Sequence, residues 1–271
     1  MKKTTKILIG LGIGIPLHFI GLLIYLSTLP TEEISDRYGF SDDPYVSQAL
    51  QPAHTVDIDG QGTGWDYQYK IYVKPISDAV PTPQLRIPVE LQKYIKASEK
   101  DGVLSITLAD VNELLKEKQT HHLDMHCTLY LDTATLREIR SREKDTSRSA
   151  VEITIEDWRT HNTLTCSGNN SNFILRNGCQ LPKLHVTASR YLELRGSTID
   201  TLSLQLDHIE GWTVHECNIK VEQLYATGNV HVFCPRSEAD RVEWYPQSEH
   251  AGLHIRLSAD PVVIEYTEPK R

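Results

Sequence analysis

The chain has 271 residues, 24% charged and 39% hydrophobic, enough to bury the core of one extended domain or two small ones. Its formal charge of −8 comes without any basic stripe interleaved with aromatic residues. That excludes the electrostatic footprint of a nucleic-acid binder, so no nucleic-acid partner is expected.

The first element is Lys2, Lys3 and Lys6 followed by Ile7 to Leu26, twenty residues with no Asp, Glu, Lys or Arg. At about 1.5 Å per residue such a helix is about 30 Å long, the thickness of a bilayer's hydrocarbon core. Six Ile, six Leu and one Phe contribute roughly −4 to −8 kcal/mol on the insertion scale, enough to carry Pro16, His18 and the glycines. Tyr25-Leu26-Ser27 offers no small-x-small cleavage site, so residues 7–29 are expected to remain as a single-pass anchor with the lipid bilayer as partner. The lysines before this stretch, with Glu32, Glu33 and Asp36 after it, place residues 1–6 in the cytoplasm and the bulk of the chain outside it.

Residues 30–53 are acidic and turn-rich around Ser41-Asp42-Asp43-Pro44 and read as a tether. From Val56 the texture changes. Val56-Asp57-Ile58, Tyr67 to Val73, Leu85 to Val89, Val103 to Leu108 and Thr128 to Leu131 are short, often alternating runs separated by Gly and Pro, which predicts strands. Val111 to Lys118 predicts one short helix with Val111, Leu114 and Leu115 on a shared face. Arg140 to Ser149 is a charged run and reads as a solvated loop.

Leu164 to Val232 carries a short phrase written three times and begun a fourth. The copies run Leu175 to Val186, Leu194 to Leu204, and Val214 through Ile219 to Leu224 and Ala226. Matched positions step Leu181, Ile199, Ile219 and Leu184, Leu202, Leu224, a repeat of 18 to 22 residues. Inside the copies apolar and polar residues alternate with the two-residue period of a strand. Gly178, Gly196, Gly211 and Gly228 suit corners between the runs. Such a unit cannot bury its own apolar face and must stack on its neighbours, the logic of a β-solenoid. Leu181-x-x-Leu184-x-Val186 also fits the start of a leucine-rich repeat, the alternative solenoid. The expected organisation is an all-β solenoid over residues 54–234, with residues 235–271 as its C-terminal cap.

Two further segments bear on family. Tyr94 to Ile106, with Asp101-Gly102 followed by Val103-Leu104-Ser105-Ile106, resembles the strand, Asp-Gly, Leu-x-Ile segment of the bacterial head GIN domain family of autotransporter-adhesin-like proteins. Cys127 to Leu131 followed by Leu136-Arg137-Glu138-Ile139 is similar to the next step of that pattern, and the resemblance spans about residues 54–234. The family's Ser-Gly corners are represented here only by Ser167-Gly168. The resemblance implies a stacked β architecture in a bacterial envelope protein, with no catalytic residues to carry over; together with the orientation of the anchor, the bulk of the chain is expected in the periplasm.

Candidate chemistry is sparse. His122, Asp124 and His126 would share one face of a strand and form the most metal-like cluster, yet same-face neighbours lie almost 7 Å apart, too far for ligands around one ion. Neither a metal nor another cofactor is therefore expected. Stacked rungs could align Glu193, Asp207 and Glu216 with Arg176, Arg195 and His215, the grouping a polysaccharide-cleaving β-helix would need; salt-bridge decoration explains the same residues. The cysteines are Cys127, Cys166, Cys179, Cys217 and Cys234. Cys179 and Cys217 occupy one column two rungs apart, about 9.6 Å, beyond the reach of a disulfide. The expected function is a non-enzymatic, membrane-anchored envelope protein that binds or adheres to an unidentified envelope protein or glycan, or acts as a scaffold. The alternatives are a polysaccharide-active enzyme and a signalling partner of another membrane protein.

Overall fold

A computed structural model describes residues 38–40, 44–60, 67–143, 151–236, 239–257 and 263–266, all within one compact unit spanning 37–271. The expected cytoplasmic residues 1–6 and anchor 7–29 lie outside the described residues. Among those described, no helix is long and apolar enough to cross a membrane.

The described chain is all-β. Its strands are β1 (Tyr38–Gly39), β2 (Tyr45–Ala49), β3 (Thr55–Gly60), β4 (Tyr67–Pro75), β5 (Gln84–Pro88), β6 (Ile95–Lys100) and β7 (Val103–Leu108). After the short helix α1 (Asn112–Glu117) come β8 (Leu123–Leu131), β9 (Glu138–Glu143), β10 (Val151–Glu156), β11 (Thr163–Arg176), β12 (Gln180–Arg195), β13 (Thr198–Gln205) and β14 (Ile209–His215). The last are β15 (Asn218–Ala226), β16 (Asn229–Arg236), β17 (Ala239–Pro246), β18 (Gly252–Leu257) and β19 (Val263–Tyr266). β16 pairs with β18 on its own, and the other strands join one curled sheet.

Two runs of parallel neighbours can be followed through that sheet. The first is β7, β3, β9, the first half of β11, the first half of β12, β13, β15, β17 and β19. The second is β8, β4, β10, the second half of β11, the second half of β12, and β14. From β8 to β15 the chain therefore alternates between the two runs. The bend inside β11 falls at Ser167-Gly168, where a Cβ on Gly168 would stand 3.1 Å from Ser141 and Ser171.

The alternation seen in the sequence sets which side chains are buried. In the first run Leu104, Val56, Ile139, Cys166, Val186, Leu204, Leu224 and Trp244 stack in one buried column. In the second, Cys127, Ile71, Ile153, Phe173, Leu192 and Trp212 do the same. Each large aliphatic side chain so buried stabilises the fold by about 1.5–3 kcal/mol relative to exposure. The corners entering the first run take left-handed backbone at Asp157 (φ 53°), Gly178 (80°), Gly196 (53°) and Glu216 (55°). Asp101 (50°) and Gly102 (75°) close the β6–β7 hairpin, the turn geometry that Asp-Gly favours.

Several expectations are corrected. Leu224 aligns with Leu204 and Val186, while Leu184 and Leu202 continue to Glu222, itself buried. The spacing between columns stays constant across coils, and a leucine two positions on does not alter it. The acidic tether contains strands: β2 pairs antiparallel with β5 and β1 parallel with β8. Phe40, Leu50 and Ala53 are buried there, so apolar contacts override the turn-rich composition. Arg140 to Glu143 belong to β9, where Ile139 and Ser141 face inward; the rest of that run, 144–149, lies outside the described residues. Gly211 is not a corner but stands in β14 opposite Tyr191, whose ring lies 3.4 Å from where a Cβ would be. Both arms of each coil from β10 to β15 are strands, which is not the leucine-rich alternative. The parallel pairing also runs past residue 234, with β17 on β15 and β19 on β17.

Candidate binding cleft

The outer face of β8 presents Asp124, His126, Thr128 and Tyr130, alternating with buried Leu123, Met125, Cys127, Leu129 and Leu131. On one side β4 sets Lys70 beside His126, Tyr72 beside Thr128 and Lys74 beside Tyr130. On the other, antiparallel β5 sets Arg86 beside Thr128, and β2 sets Tyr45 beside Pro88. Together they form a cleft of about 510 Å³ lined by Tyr45, Lys74, Arg86, Pro88, His126, Thr128 and Tyr130. Among the described residues no carboxylate is in that lining.

Arg86 is the centre of the cleft. Its guanidinium carbon lies 4.8 Å from the Tyr45 ring centroid and 4.9 Å from that of Tyr130, a cation between two rings. Each such contact contributes about 0.5–2 kcal/mol. Its Nε is buried without a hydrogen-bond partner, and no carboxylate among the described residues pairs with it. Lys74 is held differently, with Nζ 2.9 Å from Glu156 Oε2. Burial favours loss of the Lys74 proton, but the Glu156 carboxylate outweighs it and raises the pKa. Glu156 also accepts from Arg176 Nε at 2.7 Å. Burial pushes the Glu156 carboxyl up, yet Lys74 and Arg176 together hold it below the usual range.

The expected site residues fall elsewhere or apart. His122 Nε2 is 3.6 Å from Asp124 Oδ1, Asp124 is also 3.3 Å from Lys70 Nζ, and His126 faces the cleft. Among the described residues no three His, Cys, Asp or Glu side chains are grouped to hold a metal ion. Arg176 binds Glu156 and Glu193 pairs with Arg195 in its own strand. Asp207 accepts the backbone N–H groups of Thr227 at 2.8 Å and Gly228 at 3.2 Å. Its burial acts to raise the carboxyl pKa, and these amides bring it below the ordinary value. Glu216 occupies a corner, and the neighbouring His215 carbonyl accepts the Gly196 N–H at 3.0 Å.

Cys179, Ser197 and Cys217 occupy successive coils of one column. Cys127, Cys166, Cys179 and Cys217 are free thiols. Burial raises the Cys127 thiol to about 12 and Cys179 to about 11.

Sequence reasoning missed Tyr45, Lys74, Arg86 and Tyr130 as a group. The alternation Leu85-Arg86-Ile87 could have put Arg86 on an outer face. Nothing local could have told that β5 lies antiparallel between β2 and β8.

No family model and no curated protein matches the chain. Among solved structures, a candidate adhesin from Parabacteroides distasonis is 12% identical, with 85% of this chain and 100% of that one covered and a TM-score of 0.46. A candidate adhesin from Bacteroides fragilis is 15% identical over 85% and 100%, with a TM-score of 0.45. A candidate lipid-binding protein from Parabacteroides distasonis is 13% identical over 86% and 100%, with a TM-score of 0.36. At such scores and identities, function rests on this chain's own residues.

Proposed function

We propose that this chain is a non-enzymatic binding module of a bacterial cell envelope, a β-solenoid of the head GIN type held at the membrane by residues 7–29 with its strands outside the cytoplasm. Its partner is a glycan or another envelope protein. The observation that carries this reading is the cleft at Arg86, where a clamped cation without an acid partner among the described residues faces open space. A buried N–H such as Arg86 Nε, left without an acceptor, is costly unless something else completes it. The residues that could have formed a catalytic acid and base are instead divided among separate ladder pairs and corners. Hydrolysis of a glycosidic bond canonically uses two carboxyl groups facing one substrate, and among the described residues the cleft lining has none.

The test is to capture the full chain, purified in detergent, and expose it to purified cell-wall, capsular and host-surface polysaccharides and to envelope proteins. Saturable binding of at least one of them, with no new reducing ends released, is expected. Steady release of reducing ends, or no binding across the panel, would contradict the reading.

A further inference from the structure

We infer that the Arg86 cleft takes a carboxylate-bearing saccharide, an assignment that rests on the binding role above and names its ligand. Two features point to an anion. The chain carries a net charge of −8, yet among the described residues the cleft is lined by Lys74 and Arg86 and by no acid. Lys74 is already shared with Glu156, which leaves Arg86 as the cation to be completed.

The mounting of Arg86 points to a planar, two-oxygen acceptor. Two rings hold the guanidinium carbon at 4.8 and 4.9 Å, which restrains the group and leaves its N–H donors as its means of reaching a ligand. A fork of parallel N–H donors matches the two oxygens of a carboxylate, a geometry that an ammonium cannot offer. The clamp also removes the rotamer freedom that a surface arginine would lose on binding, so the site is organised in advance.

The rest of the lining suits a sugar ring. Thr128, Tyr45 and Tyr130 carry hydroxyls that can donate to or accept from sugar hydroxyls. Tyr45 is 45% exposed and offers an aromatic surface against which the C–H face of a pyranose can pack. The volume, about 510 Å³, lies within the roughly 300–1,000 Å³ of small-molecule sites and exceeds what a bare anion would fill.

The experiment uses the full chain in detergent and tri-galacturonate as probe, followed by calorimetry, with galactotriose and inorganic phosphate as comparison ligands. Saturable binding of tri-galacturonate is expected, weakened at least about tenfold in Arg86→Gln and less in Arg86→Lys, which keeps the charge and loses the fork. Lys183→Gln, in the other run of strands, should bind like the parent, and melting curves should show all variants folded. Unchanged affinity in folded Arg86→Gln, or equal affinity for galactotriose, would overturn the assignment. Phosphate displacing the uronate at equal concentration would also overturn it, in favour of a bare-anion site. Binding of neutral glycans or envelope proteins alone would sink this assignment and spare the wider binding role. No binding of any partner would sink both.

Discussion

The coils from Thr163 to Pro246 and the segment from Tyr45 to Leu131 contribute to one apolar core but are assembled by different pairings. In the coils each strand lies parallel to its copy 18 to 21 residues away, and acids stand beside bases either across coils or two positions along one strand. Lys220 meets Asp200 at 2.5 Å, Arg241 meets Glu243 at 2.7 Å, and Arg195 meets Glu193. These pairs neutralise one another on the outer surface. In the earlier segment β2 and β5 run antiparallel onto β8, and that interruption leaves Arg86 between two rings with no acid among the described residues. Regular stacking pairs charges with one another, and the place where the stack is interrupted leaves Arg86 without an acid among the described residues, which is why the proposed site is put there.

The largest expected effect tests whether the two regions share one cooperative core. Leu202 lies in the coils and Leu129 beneath the cleft, both fully buried. Leu202→Ala and Leu129→Ala should each cost about 2–5 kcal/mol and shift a single urea transition as a whole. A second transition, moved by only one of the variants, would show that the regions unfold separately.

Next in size is the bridge between β4, β10 and β11, where Glu156 joins Lys74 to Arg176. Glu156→Gln should cost about 1–2 kcal/mol at neutral pH, moderated because Lys74 and Arg176 are 37% and 41% exposed. The folded-state pKa of Glu156 is depressed, so its contribution is complete above the ordinary value of 4.5 and fades as pH falls toward the folded value. Urea midpoints measured from pH 7 down to pH 3 should therefore converge between parent and variant below about pH 4.5. A gap that stays constant with pH would mean that shape, not charge, is what the substitution removes.

The smallest effect sharpens the comparison inside the coils. Gly196 and Glu216 occupy equivalent corners with φ of 53° and 55°. Gly196→Ala, which meets open space, should cost about 1 kcal/mol from backbone strain alone, while Glu216→Gly should gain about 0.5 kcal/mol. Thermal midpoints moving in opposite directions would support this, and equal losses would show that the Glu216 side chain matters more than its backbone.

How much of this was legible in the sequence follows the same division. Leu181, Ile199 and Ile219 do share a column, because a repeated phrase carries its own register. The column departs from the repeated phrase only at Leu224, because the place opposite Leu202 is taken by the buried Glu222, which hydrophobicity alone does not mark. The Asp101-Gly102 hairpin was legible because turn chemistry is local. The cleft was not. Tyr45, Arg86 and Tyr130 are up to 85 positions apart in the sequence, and their meeting depends on strand order and direction, which alternation of polar and apolar residues does not encode. For the same reason residues 38–53 looked like a tether, since two short strands gain their stability from partners elsewhere in the chain.

The most direct test of the claim that the interrupted segment, and not the regular coils, is the working surface is hydrogen–deuterium exchange of the full chain with and without saturating tri-galacturonate. Slowed exchange confined to residues 44–49, 84–88 and 123–131, with residues 198–226 unchanged, is the expected result. Protection spread along the coils, with none around Arg86, would contradict it.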